Sequence, residues 1–427
     1  MSSGQWPARQ VMGAVRRQPP DGSAAYQAAV GFVLRLGQAL HSYGVAAHAL
    51  EDALIGASDR LGLEAQFFTT PTSIFAAFGR PETQVTHLIR VFPGDVNLGK
   101  LAQLDLVTRQ VHLGVLTPTE GSARIDEIIA SPSTYGRVMR VAACGLASAT
   151  VCRVLAGGAA EVVVAGLAGL GVGVLALASR RLPHASHVYE LVASIAVAAF
   201  VSLVATVGGV AVSVSTATLA GVIVLLPGLT LTVAMTELAS RHLASGTARF
   251  SGAFIVFIAM AFGVAVGNRM ATAIAGMAPS VSPLPLAGWT LVAALVVAPL
   301  AFGVYLRARP RDLGWVLLAS LIGYSSVRMG ALAMGPALGA SIGSLVVGMM
   351  ANVYERRGFG PASVPLVPGV LLLVPGSIGY RSLTSLLDQN VVTGIATAFT
   401  MLLTAVALAA GLLMANVLVP PKPFADE

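Results

Sequence analysis

Apolar and polar positions divide the chain into two regimes. Between Tyr26 and about residue 136 they alternate at short periods, and from Val138 onward long apolar runs are separated by brief polar joints. In the first regime Val30, Val33, Leu34, Gly37, Leu40, Ala49, Ala53 and Leu54 recur at three-to-four spacing. This predicts two amphipathic helices hinged at Ser42-Tyr43-Gly44. AQFFTT, SIFAAFG and THLIRVFP follow, β-branched and aromatic runs bounded by Pro71, Gly79-Arg80-Pro81 and Pro93-Gly94. They predict a three-stranded meander. Helical periodicity then returns, and Thr117, Pro118 and Glu120 carry the signature of a capping box with proline at the first helical position.

In the second regime a membrane span needs about 20 apolar residues at ~1.5 Å rise to cross a ~30 Å core. Ten segments are read as spans: 138–157, 160–178, 188–207, 210–228, 249–268, 286–306, 313–330, 334–353, 362–376 and 391–416. The ninth holds only fifteen residues and contains Pro365 and Pro368.

That ninth segment is retained because the chain carries one stretch twice. Val224–Asn268 and Leu372–Asn416 align without a gap at an offset of 148 residues. The alignment pairs Pro227 with Pro375, Gly228 with Gly376, Thr236 with Thr384, Leu238 with Leu386, Gly246 with Gly394, Gly263 with Gly411 and Asn268 with Asn416. In each copy an apolar run breaks at Pro-Gly, a hydroxyl-rich stretch follows, and a long apolar helix begins. Ten spans with this repeat mean five per half, and an odd number turns the second copy upside down. The expected fold is therefore a polytopic α-helical membrane protein, two five-helix inverted-topology repeats preceded by a small soluble α+β domain. Its expected divisions are a disordered lead (1–24), the cytoplasmic α+β domain (25–136), the membrane halves (137–269 and 286–418) and a cytoplasmic tail (419–427).

Composition sharpens this picture. With 56% hydrophobic and 11% charged residues and a mean hydropathy of +0.80, a soluble globular protein is excluded. The net charge of +7 is nearly all arginine, and it falls at the joints. One set of joints holds Arg180, Arg181, Arg241, Arg249, Arg307, Arg309, Arg311, Arg356, Arg357 and Lys422; the other holds Arg153, Arg269, Arg328 and Arg381. That asymmetry places both termini in the cytoplasm and argues for a bilayer rather than nucleic acid as the basic partner. The first residues contain no apolar signal-peptide core. Cys144 and Cys152 lie eight apart without a CxxC or histidine partner, so neither a disulfide framework nor a metal site is expected. No catalytic or cofactor motif occurs, and none is assigned.

The chemistry is therefore sought at the repeat. Backbone groups freed by a break inside lipid need protein or a wet cavity as partner. Pro227, Gly228, Thr230, Thr232, Pro375, Gly376 and Tyr380 are the expected substrate-binding residues, because exposed helix ends and hydroxyls suit a zwitterion. Glu237, Arg249, Arg381 and Asp388 are the ionisable groups nearby, expected in proton coupling or gating. Glu237 either titrates or pairs with Arg241 one turn on. Asn268 and Asn416 read as caps ending corresponding helices, and Gly169, Gly173, Gly335, Gly339 and Gly343 as close-packing faces. Arg90, Asp95 and Asn97 either line a regulatory site or are ordinary turn and cap residues. His41 and His48, seven apart, read as packed or exposed side chains.

VLLPGLTLTVAMTELASRHLASGTARFSGA, with FFTTPTSIFAAFG and VFPGDVNLGKL upstream and LVPGSIGYRSL downstream, resembles the threonine/serine exporter family over residues 28–418. The resemblance implies a bacterial inner-membrane protein of ten helices with a cytoplasmic N-terminal domain. It implies proton-driven export of threonine and serine, with protons and a small amino acid as partners and self-association left open. The family's acidic residue after the first Pro-Gly corresponds to Glu237. Two-part relatives imply an alternative, small-dicarboxylate (succinate) export, in which Arg249 and Arg381 bind carboxylates. A further alternative is a membrane-anchored enzyme or sensor with its activity in residues 25–136.

Overall fold

The computed structural model describes residues 23–80, 82–92, 94–181, 188–279, 281–373, 376–387 and 390–421. The expected disordered lead lies almost wholly outside these residues, as do Pro375, Asp388 and Lys422.

The N-terminal unit forms as its periodicity predicts. Helix α1 (Ala24–Ser42) is capped by Ser23, whose hydroxyl accepts the Tyr26 N–H, and α2 (Ala47–Arg60) follows the turn at Gly44. Strands β1 (Ala65–Thr70), β2 (Ser73–Phe78) and β3 (Val85–Arg90) make an antiparallel meander in that order, with Phe68 opposite Phe75 and Phe75 opposite Leu88. Helix α3 (Leu98–His112) is capped by Asn97, which accepts from the Lys100 N–H. Helix α4 (Pro118–Ala130) carries the complete Thr117–Glu120 capping box. Phe32, Leu36, Leu50, Leu54, Ile74, Phe78, Leu104 and Ile125 form the core between helices and sheet, each essentially sealed from solvent.

The membrane region follows as α5 (Arg137–Val154), α6 (Ala159–Ser179), α7 (Tyr189–Thr206), α8 (Val214–Gly221), α9 (Gly228–Ala239) and α10 (Leu243–Ala275). The second series is α11 (Gly288–Tyr305), α12 (Leu313–Met334), α13 (Pro336–Arg356), α14 (Ser363–Leu371), α15 (Gly376–Leu387) and α16 (Val391–Leu418). Among the described residues eight helical runs are long and apolar enough to cross a bilayer, and a bent pair makes a ninth. The first expected span corresponds to α5, which is not among these: its eighteen residues include Arg137, Arg140 and Arg153.

The fourth expected span, 210–228, is not one straight helix. Helix α8 has eight residues, the chain bends by 45° between Gly221 and Ile223, and a 3₁₀ turn at Ile223–Leu225 leads into α9. Eight residues rise only about 12 Å, so α8 and α9 share the crossing. Leu226 is extended, and proline without an N–H followed by glycine without a Cβ explains why α9 starts afresh at Pro227-Gly228. Helix α14 is equally short, at nine residues.

Helix boundaries follow the sequence offset. Helices α9 and α15 begin at Gly228 and Gly376 and end at Ala239 and Leu387, both 148 apart, and α10 and α16 begin at Leu243 and Val391, again 148 apart. Packing is reciprocal as well: α7 lies on α10 as α13 lies on α16, and α9 touches α16 as α15 touches α10. A core of Val197, Leu226, Leu231, Phe257, Met260, Tyr380 and Met401 draws on both series.

Small residues allow the close crossings. A Cβ on Gly169 would lie 2.7 Å from the Cys144 carbonyl oxygen, and one on Gly339 2.6 Å from the Ala331 nitrogen. Gly335 does a different job from the one its spacing suggests: at φ 90° it ends α12 and starts α13. Asn268 and Asn416 are not helix ends either. Asn268 lies within α10 and accepts from the Ser202 hydroxyl at 3.0 Å, while Asn416 lies within α16 and accepts from the Asn352 side-chain amide at 2.8 Å. A side-chain amide in an apolar environment finds a cross-helix partner because it would otherwise be unsatisfied.

Candidate functional site

The two breaks meet. A Cβ built on Gly376 would lie 3.3 Å from the Leu226 Cβ and 3.5 Å from the Gly228 Cα. The N-termini of α9 and α15 thus abut, one from each series. No side chain caps α9, so its first N–H groups carry the unbalanced positive end of the helix. Tyr380, one turn into α15, is 4% exposed and sits in the core that includes Leu226 and Leu231. Pro227, Gly228, Gly376 and Tyr380 are therefore brought together.

The threonines of α9 behave differently from one another. The Thr232 hydroxyl donates to the Gly228 carbonyl at 3.1 Å and the Thr236 hydroxyl to the Thr232 carbonyl at 3.0 Å. These are i−4 bonds back onto the helix, which tend to bend it. Thr230, on another side of α9, is half-buried.

Glu237 lies nine residues beyond Gly228, about 13 Å along α9, and joins a different construction. It is fully buried. One carboxylate oxygen accepts the Ala47 N–H at 2.8 Å and lies 3.1 Å from the Arg249 Nε, while the other has no protein partner. Ala47 opens α2, whose N-cap is Ala46 with no side chain to offer. Glu237 supplies the missing cap from 190 residues away. Its ion pair is therefore with Arg249, and the i,i+4 contact with Arg241 is not formed: Arg241 adopts φ 68° in the turn after α9.

Histidines surround this joint. The His48 and His242 rings stand 6.0 Å apart, and His242 Nε2 is 3.3 Å from Glu51, whose other oxygen accepts from the Thr69 N–H and hydroxyl at 2.8 Å. Burial pushes the His48 imidazole below the ordinary histidine value; the Glu237 carboxylate opposes this, and the His242 ring adds to it. Of the other expected ionisable residues, Arg381 is exposed on α15 and Asp388 lies outside the described residues.

A second joint holds the N-terminal unit to the membrane helices. The N–H groups of Leu98 and Gly99, opening α3, donate at 3.0 Å to the carbonyls of Leu306 and Arg307 at the end of α11. This sets a positive helix end on a negative one. Gly99 is required there, since a Cβ would lie 2.7 Å from the Arg307 carbonyl oxygen. Beside it the Asp95 carboxylate bridges Arg180, after α6, and Arg307, at 2.8 Å from the latter. Asp95 is thus an ion-pair partner as well as a turn residue, and Asn97 is a cap. Sequence reasoning named His48 as a packed or exposed side chain but missed its neighbour His242, the partners of Asp95, and Glu161, a buried acid accepting the N–H groups of Gly158 and Ser213 at 2.9 and 2.7 Å. Among the described residues no three His, Cys, Asp or Glu side chains are grouped to hold a metal ion.

Many apolar spans, broken helices meeting end to end and an α+β unit clasped to one face define a multi-spanning helical membrane protein. The comparisons with known proteins name the family. A model described as "Putative threonine/serine exporter" matches residues 31–271, more than half of the chain, and one described as "Threonine/Serine exporter, ThrE" matches 291–418. The chain belongs to the threonine/serine exporter family. It is 27% identical over 367 residues to a Pheromone-regulated membrane protein 10 of Debaryomyces hansenii, covering 82% of this chain and 36% of that protein. With the same-named protein of Eremothecium gossypii it shares 27% identity over 361 residues, 82% of this chain and 48% of the relative. With that of Saccharomyces cerevisiae the identity is 26% over 359 residues, 82% and 46% respectively. The chain therefore spans less than half the length of these relatives, which are membrane proteins of yeasts. No solved structure matches it.

Proposed function

We propose that the chain is a secondary-active exporter of small amino acids such as threonine and serine. The observation that carries this is the contact of Gly228 with Gly376, which sets the starts of α9 and α15 against each other between the two helix series. Helix N-termini attract a carboxylate, so the abutting helix starts offer a place for the carboxylate of an amino acid. Broken helices at corresponding positions of two repeats are the usual surroundings of a transporter site. The reciprocal packing and the constant 148-residue offset support ten crossings in two five-span halves of inverted topology, which rock about the Gly228–Gly376 contact.

The N-terminal unit faces the cytoplasm, and both termini lie on that side. Arg180, Arg249 and Arg307 all touch this unit, whereas Arg153 lies at the opposite face, donating to Thr290 at the start of α11. Glu237 is our candidate for proton coupling: it is a fully buried acid, and one of its carboxylate oxygens has no protein partner.

The test is uptake of labelled threonine, serine and succinate by everted vesicles carrying a pH gradient. Uptake of threonine or serine that collapses with an uncoupler is the expected result. Uptake of succinate alone overturns the substrate class, and flux that ignores the uncoupler overturns the proton coupling.

A further inference from the structure

The Asp95 bridge holds an imbalance of donors over acceptors. Arg180 and Arg307 both address one carboxylate, and Arg140 on α5 lies within electrostatic reach of Arg307, Arg180 and Asp95. Three guanidiniums present about 15 N–H donors, against roughly four lone-pair positions on one carboxylate. Two of those donors, Arg140 Nε and Arg307 Nε, are sealed from solvent and have no acceptor. Buried guanidinium N–H groups without a partner point to an anion that belongs beside them.

Exposure says which partner is the movable one. The Arg307 side chain is 13% exposed, fixed in the α11–α12 turn, whereas the Asp95 side chain is 60% exposed on the loop between β3 and α3. The cluster also leads inward. Two residues before Arg307, the Tyr305 hydroxyl reaches within 3.5 Å of the Val224 carbonyl, in the turn just ahead of Pro227. The end of α11 therefore links the cationic cluster to the turn ahead of the break.

We infer that Arg140, Arg180 and Arg307 form a seat for the carboxylate of a small solute, which Asp95 fills while no solute is bound. Solute and Asp95 compete for the same guanidiniums, so binding releases the β3–α3 loop. The seat rests on the transport reading only in making that solute the transported one; the binding site stands by itself. Lipid phosphate shares the chemistry, and the test separates the two.

The experiment uses the full chain in nanodiscs and measures equilibrium binding of labelled threonine and of succinate. In neutral lipid Asp95→Asn, which removes the competitor, binds about five- to tenfold tighter than wild type. Arg307→Gln binds at least as much more weakly, and Arg180→Gln, at an exposed position, repeats that loss where Arg307→Gln does not fold. Unchanged binding in both Asp95→Asn and Arg180→Gln overturns the seat. Loss of the Asp95→Asn gain when the discs contain phosphatidylglycerol assigns the guanidiniums to lipid phosphate and also overturns it. Counterflow in proteoliposomes separates the two readings: transport with no effect of Asp95→Asn removes the seat alone, and the binding shift without transport removes the exporter alone.

Discussion

Gly228 and Gly376, 148 residues apart in the chain, face each other so closely that a Cβ on Gly376 would lie 3.5 Å from the Gly228 Cα. The Leu226 Cβ is nearer still, at 3.3 Å. An alanine at 376 requires neighbours to shift by a few tenths of an ångström, whereas valine adds two branches against Leu226. Gly376→Ala is expected to transport threonine at a reduced rate. Gly376→Val is expected to abolish transport while losing about 1–3 kcal/mol of stability, read by labelled-threonine flux beside a thermal melt.

Glu237 ties α9 to α2 and α10 at once. Replacing it with glutamine leaves Arg249, whose side chain is 16% exposed, without its counter-charge. Breaking such a buried pair costs about 3 kcal/mol. Limited proteolysis should then cut the turn between α1 and α2 faster in Glu237→Gln than in wild type. Equal rates would show that the carboxylate is no clasp.

Acidification should loosen the same joint. His48 is held below its ordinary value, first by burial, so protons bind it less readily in the folded state than in the unfolded one. Its contribution to stability is complete above about pH 6.5 and is lost as pH falls below that value. Asp52 and Glu237 work against the shift, and His242 and Arg249 work with it. The midpoint of domain release, followed by proteolysis between pH 8 and 5, should lose its pH dependence in His48→Gln. In Glu237→Gln it should move to lower pH, because the charge that favours the imidazolium is gone.

The capping box of α4 gives a local control. Thr117 and Glu120 satisfy each other's backbone N–H groups at an exposed helix start. Thr117→Ala should cost about 1 kcal/mol of N-terminal stability in a chemical melt and leave threonine flux unchanged.

Much of the architecture was legible because it is written in local chemistry. The Thr117-Pro118-Glu120 box, the Asn97 cap, the meander and the Pro227-Gly228 break all depend on residues within a few positions of one another, and each lies where its pattern says. The contact between the breaks was legible too, through the gapless repeat. What could not be read depends on partners without a signature. The cap that Glu237 gives α2 ends on a backbone N–H, which every residue but proline carries, so nothing in Ala47 announces it. Arg180 and Arg307 read as topology signals, and only the folded chain brings Asp95 between them. Asn268 looked like a helix end because hydropathy falls there, yet α10 continues seven residues to Ala275, since a polar side chain paired with Ser202 does not interrupt a helix.

We propose that the abutting starts of α9 and α15 form the passage for a small amino acid. Counterflow of labelled threonine into proteoliposomes loaded with unlabelled threonine tests it most directly, with wild type and Gly376→Val compared at matched folding. Wild type should accumulate label transiently and Gly376→Val should stay at the level of empty liposomes. Label accumulation at the wild-type rate in Gly376→Val, or none in wild type with either threonine or serine, would contradict it.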